Sequence, residues 1–123
     1  MANIDENQMQ RYRETAKKRK LFEEQKRLQR LDLAWQVARQ AAWILHNRFN
    51  CRHVTVFGSL IHPDLFHMHS DVDIAVWDIQ EHLYLKAVAA VTCLSSEIPV
   101  DLIDSDEVSH PLRQLIEKEG QPL

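Results

Sequence analysis

The stretch Ser70-Asp71-Val72-Asp73-Ile74-Ala75-Val76-Trp77 alternates in residue type along its length. A period of two reads as a β-strand over 71–77, with Asp71 and Asp73 on one face and Val72, Ile74 and Val76 on the other. An ordinary half-buried strand can carry two Asp on its solvent side. Here Ala75 and Trp77 continue the Asp face, so that face is not simply polar. Carboxylates at this spacing repel, and one of them resists ionising unless a cation sits between them. An all-oxygen ligand set favours Mg²⁺ or Mn²⁺.

Two flanking segments extend the pattern. Val54, Val56 and Phe57 form a β-rich run that stops at Gly58, and Val100 to Asp104 reads as a short strand opened by Pro99. Between the two later strands, Asp78 with Glu81 resembles a capping box that starts a helix running to about Ser96. A crossover helix there makes strands 71–77 and 100–104 parallel neighbours. With strand 53–57 antiparallel to 71–77, Gly58, Ser59, Asp71, Asp73 and Asp101 converge at one end of the sheet. Leu60 to Phe66 is expected as a short helix capped by Ser59, and a last helix is expected over Leu112 to Glu119, stopped by Gly120.

The predicted order is α, β, short α, β, α, β, α: an α/β (α+β) chain with a small mixed sheet and a long N-terminal helix. Residues 8–49 contain neither Gly nor Pro and are rich in good helix formers. Leu28, Leu31, Trp35, Ala38, Ala42, Leu45 and Phe49 step by threes and fours, a seam expected to pack on the body. Upstream the seam fades at Glu24. The expectation is one long helix, or two with a joint near residue 25, whose polar first half projects or frays. Trp35, Trp43 and Trp77 read most simply as core or interface residues.

At 123 residues, 45% hydrophobic and 27% charged, the chain suits one globular domain. No apolar run approaches the ~18 residues of a membrane helix. The polar, acidic stretch Met1–Gln8 reads as neither signal nor transit peptide. Cys51 and Cys93 lack disulfide or metal-ligand spacing and read as free thiols, which predicts a cytoplasmic protein. The net charge of −3 conceals a division: residues 11–30 hold nine Lys or Arg against three Glu, while residues 53–123 hold three basic residues against twelve acidic ones. The basic stretch is either a solvated helix face or a second functional surface, for nucleic acid or for oligomer formation.

The converging residues have a shared chemical use. Glycine lets a backbone approach a polyphosphate, a serine hydroxyl can bind a phosphate oxygen, and carboxylates hold metal ions that bridge phosphates. Val56-Phe57-Gly58-Ser59, Ser70-Asp71-Val72-Asp73-Ile74-Ala75-Val76 and Val100-Asp101-Leu102 together resemble the polymerase-β-type nucleotidyltransferase superfamily, most closely its minimal nucleotidyltransferase (MNT) group. The tail from Leu112 to Gly120 is similar to the usual ending of such domains. The resemblance covers about residues 53–123. The basic half of the long helix lies outside it, so the chain is expected to divide into a basic, polar helical extension at 1–27 and a minimal nucleotidyltransferase domain at 28–123, with its core at 53–123.

By the same resemblance, Gly58 and Ser59 would hold the triphosphate of ATP, and Asp71 and Asp73 would bind Mg²⁺ or Mn²⁺. Asp101 would complete the metal site and act as, or assist, the general base. The group commonly pairs with a helical HEPN-family toxin, an RNase, and some members are antitoxins that transfer AMP to a tyrosine of that partner. With no further acceptor-holding domain in the sequence, the acceptor pocket is expected from another subunit or from the substrate itself. Two features depart from the family pattern: eleven residues separate Ser59 from Asp71 where ten is common, and no Arg follows Gly58-Ser59 closely. The alternatives are a non-catalytic nucleotide- or partner-binding module that neutralises a toxin by contact, and an RNA- or tRNA-directed nucleotidyltransferase. His62, His67 and His69 suggest a weaker candidate zinc site, or a stand-in for the missing Arg. The basic stretch ahead of the seam superficially resembles a DNA-binding basic zipper.

Overall fold

With no breaker between residues 8 and 49, the chain forms one uninterrupted helix, α1 (Glu6–Arg48). This is seen in a computed structural model that describes residues 5–123; the first four residues of the expected extension lie outside the described residues. Asp5 and Gln8 make a reciprocal capping box at its start. Its end needs no glycine, because Asn50 takes the left-handed conformation at φ +55°. There is no joint near residue 25.

Four strands follow: β1 (Val54–Phe57), β2 (Val72–Val76), β3 (Val100–Asp104) and β4 (Gln121–Pro122), in the order β3-β2-β1-β4. β1 pairs antiparallel with β2 and β4, while β2 and β3 are parallel, joined through helix α2 (Glu81–Thr92). This is the mixed sheet expected from the local signals. Val54, Val56, Val72, Ile74, Val76, Val100 and Leu102 face α1 and α2 and form the main core. Helix α3 (His110–Glu119) covers part of the opposite face over β1, with Ile116 fully buried.

Several expectations require correction. The seam starts later and is wider than expected: Ala38, Ala42 and Leu45 are buried and Leu31, Trp35 and Phe49 pack partly buried against the core, while Leu28 is half exposed and Ala34, Val37, Ala41 and Ile44 broaden the buried stripe. The small alanines let the helix lie close to the sheet, and this decides which stripe faces inward. Trp43 points away from the core and is 59% exposed. The helix expected over Leu60–Phe66 is instead two short 3₁₀ turns, Gly58–Ile61 and Pro63–Leu65, with no side-chain cap from Ser59. Asp78 does not cap α2: it sits in a left-handed turn at φ +59°, and the helix starts at Glu81 after Gln80 and ends at Thr92, not Ser96. α3 starts two residues early because Pro111 occupies its first turn. The two-residue β4 is too short to leave a periodic signal and exists because β1 offers a free edge.

Candidate active site at the carboxylate end of the sheet

The register places Phe57 opposite Asp73 and Asp73 beside Asp101, a single row across three strands. Paired positions on neighbouring strands share a face and lie about 5 Å apart. Asp73 and Asp101 therefore stand side by side on the face away from the main core. Asp71 lies one residue before β2, just outside the strand, and is exposed like Asp101, whereas Asp73 is half-buried. Burial, with Asp101 and then Asp71 adding like charge, pushes the Asp73 carboxyl up to about 6. All three predicted acids thus influence one another.

Gly58 begins the turn that leaves β1 at this end. Its φ is +75°, and a Cβ there would strike the Asp73 carboxylate. The glycine is required twice, for the left-handed backbone and for the approach of Asp73. Ser59 follows in the 3₁₀ turn, half-buried, with its backbone carbonyl accepting from His62 N–H at 3.1 Å. Gly58, Ser59, Asp71, Asp73 and Asp101 are therefore at the same end of the sheet, as the topology drawn from sequence required.

Two arginines of α1 support this end. Arg30 donates to the carbonyls of Ser70 (3.0 Å) and Glu97 (3.1 Å), and Arg27 to those of Pro63 (2.8 Å) and Phe66 (3.3 Å). Ser70 immediately precedes Asp71, and Glu97 lies just before β3. Arg30 thus ties together the two backbone segments that deliver the acids. Nothing in the sequence separates these two arginines from the other cations of residues 11–30; only a long-range contact distinguishes them. Their hydrogen bonds go to backbone carbonyls, so both hold the frame around the acids.

The donor set is all oxygen, as a hard divalent cation requires. Among the described residues, no three His, Cys, Asp or Glu side chains form a group that could hold a metal ion, so Asp71, Asp73 and Asp101 do not make a complete metal site by themselves. Mg²⁺ is usually bound by only one or two carboxylates, with substrate phosphates and water completing its shell. The same finding disfavours a zinc site at His62, His67 and His69. His62 faces Glu119 at 3.5 Å, and the His67 and His69 rings meet edge-on, 6.2 Å between centroids. Among the described residues both cysteines are free thiols, and no helix is long and apolar enough to cross a membrane.

No protein-family model and no curated protein sequence matches the chain. Its fold is similar to solved structures. One is a crystal structure of a substituted form of the toxin-antitoxin MntA-HpeT, with TM-score 0.56 and 19% identity over 69% of this chain and 70% of that one. Another is a toxin-antitoxin crystal structure with AMP-PNP, with TM-score 0.55 and 22% identity over 68% and 69%. At these identities the likeness is one of fold, and it agrees with the fold expected from the sequence.

Proposed function

We propose that the chain is a nucleotidyltransferase that moves AMP from ATP onto a hydroxyl of a partner protein, and that it serves as the antitoxin of a pair whose toxin is a helical HEPN-family protein. The observation that carries the reading is the row Phe57–Asp73–Asp101, closed by Gly58 against Asp73. Similarity of fold to toxin-antitoxin structures, one of them with a non-hydrolysable ATP analogue, supports it.

In this reading the backbone at Gly58 and the hydroxyl of Ser59 hold the triphosphate. Asp71 and Asp73, with Asp101, would hold Mg²⁺ or Mn²⁺ jointly with the phosphates; when bound, the ion offsets charge on the phosphates in the transition state. Asp101, exposed beside Asp73, accepts the proton of the acceptor hydroxyl. The acceptor oxygen then bonds to the α-phosphorus, and pyrophosphate leaves. The raised pKa of Asp73 fits a carboxylate whose charge awaits a cation.

The test is intact-mass spectrometry of the protein encoded beside this one, after incubation with this chain, ATP and Mg²⁺. The expected outcome is a gain of one or more AMP units, lost with Asp73→Asn or Asp71→Asn. Retained transfer in either variant would overturn the site assignment. The excess of acid over base in residues 53–123 favours a second reading, neutralisation by contact with a basic partner. In that case Asp71→Asn would still silence the toxin.

A further inference from the structure

Helix α1 passes the carboxylate end of the sheet where Arg27 and Arg30 bind the Pro63, Phe66, Ser70 and Glu97 carbonyls. Its other end is fastened at the opposite side of the body, where Leu45 accepts from Cys51 N–H. The segment Glu6–Lys26 therefore continues as a straight arm beyond the body, about 30 Å long at 1.5 Å per residue. Along it only Ala16 is even partly covered.

This arm is not an ordinary solvated helix. Tyr12, Leu21, Phe22 and Leu28 on α1 are all at least half exposed, and Leu65 and Met68 are exposed on the loop beside it. Most of the exposed large apolar side chains among the described residues thus collect on the arm and at its root. Between them, Lys20, Leu21, Arg27, His67 and Met68, together with Glu23 and Glu24, line an open notch of about 770 Å³. Exposed aromatic and Met side chains grouped with Arg are enriched at protein-binding surfaces, whereas binding to phosphates needs the cations alone. The arm itself, residues 6–26, carries seven Lys or Arg against four Glu, a net +3, and among the described residues the one ion pair it makes is Glu24 with Arg27 at its root.

Being straight and tied at its root, the arm cannot bend back onto its own body. Two arms side by side would repel. The complementary surface is the body of another copy, whose residues 53–123 carry a net −9. An arm of about 30 Å also spans roughly the breadth of a small domain. We infer that a second copy of this chain covers the arm, each basic arm lying across the acidic body of the other in a closed two-fold dimer. This inference does not depend on the chemistry of the site.

The test is light scattering of the full chain at 100 µM in 50 mM and 500 mM NaCl. The expected mass is twice the 14.5 kDa of one chain in low salt, with the dissociation constant rising at least tenfold in high salt as the charges are screened. The fourfold reversal Lys17→Glu, Lys18→Glu, Arg19→Glu, Lys20→Glu should give a monomer in low salt. So should Leu21→Ser with Phe22→Ser, which keeps every charge; circular dichroism checks that the helix persists. A monomer in low salt would overturn the inference, as would a dimer surviving the reversal. A monomer that instead binds a labelled 20-nucleotide RNA through the same lysines would assign the arm to nucleic acid.

Discussion

The carboxylate end of the sheet and the free arm both concentrate charge at the same end of the molecule, but they hold it differently. Asp73 is half-buried beside two like charges, in a position set by strand register. The arm cations stand in solvent, where each charge is hydrated at almost no cost to the fold. Charge that packing places against its electrostatic preference stores a cost that only a ligand relieves. Charge left in solvent costs nothing and acts only on a partner. Substitutions at the sheet end should therefore change stability and chemistry together, and substitutions on the arm neither.

The largest effect is expected at Gly58. Gly58→Ala adds a Cβ to a left-handed residue and drives it into the Asp73 carboxylate. A loss of at least about 2 kcal/mol is expected from the backbone and the collision together, read as a lower denaturation midpoint. Loss of Mg²⁺·ATP binding, measured by calorimetry, should accompany it. A loss of only about 1 kcal/mol would show that Asp73 turns aside freely and leaves the backbone cost alone.

Arg30→Ala ranks next. It removes two charge-assisted hydrogen bonds that join α1 to the segments before Asp71 and Asp101, and should cost about 1.5–3 kcal/mol. If Arg30 acts by holding these segments, Arg30→Lys should restore only part of the stability, since one ammonium cannot span both carbonyls as a guanidinium does.

Asp73 gives a smaller effect with a definite sign. Its carboxyl titrates near 3.8 when unfolded and at about 6 when folded, so between those values the folded chain holds a proton the unfolded chain has released. Stability of the metal-free protein should therefore fall as pH rises from about 4 to 6, by about 1–2 kcal/mol after allowing for solvent around the group. Asp73→Asn should flatten that slope and stabilise the protein at pH 7 while transfer is lost. A slope of opposite sign would mean that a cation already neutralises Asp73.

The smallest effect belongs to the arm. Lys17→Ala or Lys18→Ala should change the thermal stability of the isolated chain by less than about 0.5 kcal/mol. A larger loss in dilute solution would show that these side chains are held by the chain itself.

Much of this end was legible from local signals. The alternation of 71–77, the stop at Gly58 and the short run at 100–104, joined by the rule that a crossover helix links parallel strands, sufficed to bring Gly58, Ser59, Asp71, Asp73 and Asp101 together. The long helix was legible because nothing interrupts it. The false capping box at Asp78 and the short helix expected at Leu60 fail for one reason: a local motif does not show whether a turn must first redirect the chain, as the left-handed residues at Gly58 and Asp78 do. The seam was legible from Leu31 onward, but only as part of the buried stripe: Ala34 and Ala41 register weakly as apolar although alanine allows the closest packing.

The sequence by itself determined the long helix, the first three strands, the two later helices, their order and the acids of the candidate site, because strand alternation and helix propensity act over a few residues. The tertiary structure alone decided that Asp73 and Asp101 share a row, that Gly58 must lack a side chain because Asp73 lies against it, and that Arg27 and Arg30 differ from the other cations of their helix. Each of these depends on atoms tens of residues apart in the chain, and a local pattern contains no such distance.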